Sequence, residues 1–150
     1  EQVTPVTYSA LNPEANIESA VTAIGDYDFN GIAMSKTFAA DLAKLKVNGV
    51  KQYPELGWGN APASINGVPV DINSTVSVVE GEYAYAGDFK NAFKWGYADI
   101  INFDVIEYGD PDNTAADLKG YNQVYLRAEA WIGWAILDGS AFARIESSES

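Results

Sequence analysis

Histidine and cysteine are both missing from this 150-residue chain. Without them no Ser-His-Asp triad, Cys-His pair, disulfide, or His- or thiolate-ligated metal site can be built from the chain alone. General acid–base work would fall to carboxylates, lysine or tyrosine. Positive charge is scarce as well. Nine Lys and Arg against 21 Asp and Glu leave a net charge of −12, a surface that repels phosphate and gives DNA or RNA no electrostatic footing. The same charge holds copies of the chain apart unless a specific surface overcomes the repulsion. No apolar run approaches the roughly 18 residues of a membrane span. No basic start leads into an apolar stretch, so neither a membrane segment nor a signal peptide is expected.

What is present reads as globular. Hydrophobic residues make up 47% and charged residues 20%, so a chain of this length can bury roughly 70% of its unfolded surface around a core. No repeat at solenoid or propeller period stands out. Residues 1–11 read as an extended lead-in. Asn12-Pro13 opens a helix, with Asn as N-cap and Pro at the first helical position. Ile17, Ala20, Val21 and Ile24 recur at helical spacing and should face a core, with Gly25 as the stop. Gly31-Ile32-Ala33-Met34 is a short buried strand. Ser35 caps a second helix, about 36–46, that buries Phe38, Leu42 and Leu45.

Residues 51–64 form an aromatic-bearing loop around Pro54, Gly57, Trp58, Gly59 and Pro62. Val68 to Ile72 is an edge-type strand, because Pro69 cannot donate to a ladder. Tyr83 to Phe89 and Ile100 to Tyr108 are further strands, with a polar loop from Asp110 to Tyr121. Val124 to Leu137 alternates without interruption. Val124, Leu126, Ala128, Ala130, Ile132, Trp134 and Ile136 point one way, and Tyr125, Arg127, Glu129 and Trp131 the other. A strand of that length spans roughly 46 Å and overhangs a compact domain unless Gly133 bends it. Ala141 to Ile145 closes the chain as a short strand.

Candidate chemistry is thin. Asp110-Pro111-Asp112-Asn113-Thr114 starts like a calcium loop, but Ala115 stands where the turn needs Gly and Tyr121 where the bidentate Glu belongs. The acidic pairs Asp26/Asp28 and Glu80/Glu82 lie in turn-like segments, where solvated charge is the ordinary reading. Gly57-Trp58-Gly59-Asn60 lacks the lysine of a phosphate loop. Trp58, Trp95, Trp131 and Trp134 suit either a sugar-stacking platform or subunit contacts, and the second carries more weight. No catalytic residue, cofactor or metal is expected.

Taken in order, the segments resemble the major capsid proteins of tailed phages. The resemblance rests on Gly31-Ile32-Ala33-Met34-Ser35 leading into Phe38, Asp41, Leu42 and Leu45, and on Gly67-Val68-Pro69-Val70. It continues through Gly87-Asp88-Phe89 and Asn122-Gln123-Val124-Tyr125-Leu126-Arg127-Ala128-Glu129, then Ile132-Gly133, and Asp138 with Ala141 and Phe142. It implies an α+β fold, a mixed sheet flanked by short helices with a long projecting β-hairpin. Residues 1–98 would be an axial-type domain, 99–138 the peripheral-type hairpin, and 139–150 the return strand and tail.

Nothing here resembles the family's N-terminal arm, extended loop or spine helix. With its start at Glu1-Gln2, the chain therefore reads as a fragment, processed or engineered. Some relatives crosslink through an Asn at the hairpin tip. Asn113 lies in the comparable place, but the lysine-bearing loop is not here and no crosslink is inferred.

The function implied is that of a structural virion protein, with no enzymatic activity and no cofactor. It would assemble in the bacterial cytoplasm into the icosahedral shell of a tailed phage or prophage. Its partners would be copies of itself, in pentamers and hexamers, with neither nucleic acid nor membrane bound directly. The expected contact residues are a central-loop group, Tyr53, Trp58 and Trp95, and the hairpin residues Asn113, Arg127, Glu129 and Trp131. The alternative is a secreted, acidic, aromatic-rich carbohydrate-binding module, which needs its Trp and Tyr side chains gathered on one exposed face.

Overall fold

Two side-chain caps start the helices. The Asn12 carboxamide oxygen accepts from the Ala15 amide at 3.3 Å and opens α1 (Pro13–Ala23). Ser35 Oγ accepts from the Phe38 amide at 3.2 Å and opens α2 (Lys36–Lys44). The computed structural model describes residues 3–111, 113, 114 and 117–148. These fall into two compact units, the first running up to Lys94 and resuming at Ile136, the second comprising Trp95–Ala135.

The first unit holds β1 (Thr4–Thr7), α1, β2 (Gly31–Ser35), α2, β3 (Lys46–Val47), β4 (Val50–Lys51), β5 (Ser64–Ile65), β6 (Val68–Asn73) and β7 (Glu82–Gly87). After the excursion through β8 (Phe93–Tyr97), β9 (Asn102–Ile106), β10 (Tyr125–Glu129) and β11 (Ile132–Ile136), the chain returns as β12 (Phe142–Glu146). A six-stranded mixed sheet runs β1-β12-β7-β2-β6-β5. Register places Ile32, Ala86 and Ala143 in one row and Met34, Ala84 and Ile145 in the next. All six are buried, together with Ala20 of α1, Ile24 at its C-cap, and Phe38 and Leu42 of α2. Three alanines in these rows leave room for the helices to lie close to the sheet.

The helix α1 turns inward the face that the apolar spacing suggested, with Ala20 and Ile24 in the core and Ile17 packed against it, but shifted at one edge. Ala20 and Ile24 are buried, but Val21 is exposed and Asn16 is only 4% exposed. Asn16 bonds both ways with the Ser9 backbone, accepting from its amide at 3.2 Å and donating to its carbonyl at 3.0 Å. The lead-in chain has backbone groups to satisfy as it passes, and a buried carboxamide does this where valine could not. Nor is β6 an edge strand, since it lies between β2 and β5. Pro69 faces Ser64 of β5, and the β2 ladder begins one residue later at Val70, so the missing N–H costs that ladder nothing.

The end of β7 is tightly packed. A Cβ on Gly87 would lie 2.3 Å from the Ala141 carbonyl oxygen and 2.6 Å from the Phe142 ring. Asp88 follows, 4% exposed. Its amide donates to that same Ala141 oxygen at 3.0 Å. Its carboxylate accepts from the Asn91 amide and side chain, each at 3.0 Å, and from Asn30 Nδ2. Phe89 meets Phe142 edge to face, centroids 5.2 Å apart. The Gly-Asp-Phe and Ala-Phe segments, far apart in sequence, are thus one packed joint.

Bonds to the Asn91 side chain and backbone and to Asn30 hold Asp88 below the usual carboxylate range. Tyr27 and Ser140 do the same for Asp138. At Asp41 burial works upward, but bonds from Lys44 and Tyr8 outweigh it and the pKa is lowered. Stabilisation from depressed carboxylates is present above their unfolded value, about 3.9, and is lost as pH falls through the folded values. Burial, then bonds to Glu14 and Glu82, push Tyr53 and Tyr85 up to about 12. That contribution is present below about pH 10 and disappears as pH rises toward 12. Thermal melts across pH should therefore show a plateau with losses below about pH 4 and above about pH 10. A midpoint that climbs between pH 5 and 3 would contradict the carboxylate network.

In the second unit the expected unbroken strand over 124–137 is two strands with different partners. β10 pairs antiparallel with β9, from Tyr125 opposite Ile106 to Glu129 opposite Asn102, and β11 pairs with β8. The break falls at Ala130-Trp131, not at Gly133. On the opposite arm, across from the break, Asp99 Oδ1 accepts from the Ile100 amide at 2.8 Å, a local bond that competes with ladder pairing. The strand β8 had no counterpart in the sequence reading. The loop after β9 holds more structure than its polar composition implied. Asp117 accepts from the Gly109 and Gly120 amides at 3.0 and 3.3 Å, and Leu118 is buried, its amide on the Gly109 carbonyl. Asp112 and Ala115 of the calcium-like pattern lie outside the described residues.

Candidate assembly surface

Residues opposed in an antiparallel ladder share a face, so the β9–β10 register sorts the ribbon into two sides. Phe103 with Ala128 and Val105 with Leu126 make an apolar side. Asn102 with Glu129, Asp104 with Arg127, and Ile106 with Tyr125 make a largely polar one. The apolar side is uncovered, Phe103 being 77% and Leu126 74% exposed. A two-stranded ribbon is marginal in water by itself, and a contiguous apolar surface of more than a few hundred Å² marks an interaction site. Across the second unit Trp95, Tyr97, Ile100, Tyr108, Trp131 and Ile132 are exposed as well.

The residues singled out from sequence meet different fates. Tyr53 is 6% exposed and belongs to the core of the first unit, its hydroxyl donating to Glu14 Oε1 at 2.9 Å. That withdraws it from the expected contact set: an aromatic in a Pro- and Gly-rich loop looks superficial, yet here the loop folds its ring inward. Trp58, in the same loop, is fully exposed with φ of +62°. Holding a bulky residue in the left-handed region costs roughly 1–2 kcal/mol, and no packing of the indole offsets it.

Trp95 is exposed and meets Tyr97 at 6.0 Å. Asn113 is exposed, with φ of +56° and its amide on the Asp110 carbonyl. Arg127 and Glu129 share the polar side of the ribbon and form an ion pair with each other. Trp131 is exposed, its carbonyl accepting from the Ala98 amide at 2.8 Å. The sequence reading missed Phe103 and Val105. The signal was there, in the alternation of 102–106 set beside that of 124–128, but it needed the register of two strands. Among the described residues no three Asp or Glu side chains gather as a metal site would require.

The fold is of the tailed-phage capsid type, a mixed-sheet α+β arrangement with few helices. The chain belongs to the phage capsid family, whose family model matches residues 2–147. Among solved structures, one from Mycobacterium phage Ogopogo is 31% identical, covering 98% of this chain and 54% of its own, with a TM-score of 0.75. One from Gordonia phage Cozz is 25% identical, covering 99% and 50%, with a TM-score of 0.74. A chain from the capsid of an empty GTA particle, at 19% identity, 97% and 48% coverage and a TM-score of 0.67, shares the fold. No curated protein sequence matches. The chain spans about half the length of the solved chains it resembles.

Proposed function

We propose that this chain is part of a major capsid subunit that packs with copies of itself, as pentamers and hexamers, into the icosahedral shell of a tailed phage or prophage. The subunit belongs to the virion and assembles in the bacterial cytoplasm. Residues 1–98 with 139–150 act as the axial domain, and 99–138 as the peripheral hairpin. The observation that carries this reading is the uncovered apolar side of β9–β10, with Phe103, Val105 and Leu126 in water on a ribbon too thin to bury them itself. Trp58, Trp95, Asn113, Arg127, Glu129 and Trp131 are the contact residues that accompany it. With a charge of −12, the chain leaves the genome alone.

Hydroxyl-radical footprinting of the whole subunit, free and after assembly, tests the proposal. Phe103, Leu126 and Trp131 should label strongly when free and several-fold less once assembled. Equal labelling in the two states would overturn it.

A further inference from the structure

Trp58 is presented rather than merely exposed. Its loop is anchored by Leu56, buried in the core, and closed by the Asn60 amide on the Gly57 carbonyl at 3.2 Å and Asn60 Nδ2 on the Glu55 carbonyl at 2.9 Å. The backbone on which the indole stands is thus fixed in a left-handed conformation between two glycines, and the ring touches solvent on all sides. A rigid aromatic of this kind loses little entropy on docking, which is the property of interface anchors.

Elsewhere on the same unit lies a hollow of about 180 Å³, walled by Ile17, Phe29 and Val70, that Trp58 does not line. An apolar cavity of roughly 150 Å³ admits a benzene ring, so a half-open hollow of this size has room for the ring of an aromatic side chain. Glu14, Glu18 and Asn66 stand on its rim. The Asn66 side-chain carbonyl is an acceptor of the kind an indole N–H requires.

Charge matches the two surfaces to each other. Lys51 Nζ lies 3.7 Å from where a Gly57 Cβ would stand, and Lys36 and Lys44 border the surface around Trp58. Among the described residues Lys36 and Lys51 have no carboxylate partner, in a chain where acids outnumber bases 21 to 9. Glu14 and Glu18 on the hollow's rim supply the opposite sign. Knob and hollow are different surfaces of one unit, so the contact they make is head-to-tail, the type that builds rings when its rotation closes.

We propose that Trp58 seats in the hollow between α1, β2 and the β5–β6 hairpin of a second copy of this chain, steered by Lys51 toward Glu14 and Glu18. The proposal rests on the self-assembly reading and names a contact within it. The chain has no cysteine of its own, so a cysteine introduced into it can be paired at a chosen position. In the whole subunit under assembly conditions, Ala61→Cys near the knob and Val21→Cys, exposed on α1 one turn from Glu18, should crosslink to each other at least tenfold faster than either does to itself. Equal rates for all pairings would overturn the contact.

Trp58→Asn gives a second readout, because asparagine tolerates the left-handed backbone. The variant should melt at or above the parent temperature while associating roughly tenfold more weakly or worse. If it assembles as tightly as the parent, the knob is overturned and the shell reading stands. If the parent subunit never associates, the shell reading falls and takes the knob with it.

Discussion

Gly87→Ala should destabilise the chain by roughly 3 kcal/mol, the upper part of the range for forcing atoms into a filled site. In a chain of this length that lowers Tm by about 6–12 °C. The new methyl would sit 2.3 Å from the Ala141 carbonyl oxygen and 3.0 Å from the Phe142 Cα. Both are backbone atoms of the turn into β12 and cannot swing aside as a side chain could. Moving them would also disturb the bond from the Asp88 amide to that oxygen and the Phe89–Phe142 contact. Gly96→Ala is the control, since nothing lies within 4 Å of a Cβ there, and it should change stability by less than about 0.5 kcal/mol. Chemical denaturation of the two variants checks the pair. A Gly87→Ala loss no larger than that of Gly96→Ala would mean that the joint yields without cost.

The same joint shows what could be read from sequence and what could not. Gly-Asp-Phe and Ala-Phe stand out in the sequence, but what joins them is non-local: Gly87 has no room for a side chain because Ala141 passes over it. The caps at Asn12 and Ser35 were legible because an N-cap is decided within three residues. The break at Ala130-Trp131 was not, because period-two alternation runs straight across it while the pairing partners change from β9 to β8. Asn16 was passed over as polar, though the Ser9 backbone needed a partner at that point on the helix. Tyr53 and Trp58 are five residues apart in one loop and similar in pattern, and only the fold sends the first inward and the second out. The family resemblance survived these errors because it rests on the order of short local segments rather than on any one strand's length.

Phe103→Asp combined with Leu126→Asp, made in the whole subunit, is expected to have the largest effect on assembly. Both side chains stand mostly in water in the free chain, so folding should change by no more than about 1 kcal/mol, within the span of strand preferences. In an interface, the two carboxylates would be stripped of water on the same apolar side of the ribbon. A desolvated, unpaired charge costs several kcal/mol, which puts the loss of association at a hundredfold or more. Sedimentation velocity with electron microscopy of the parent and the double variant at matched concentration is the most direct test of the central claim. The parent should form closed shells, and the variant folded free subunits that melt at nearly the parent temperature. Closed shells from the variant in the parent's yield would contradict it.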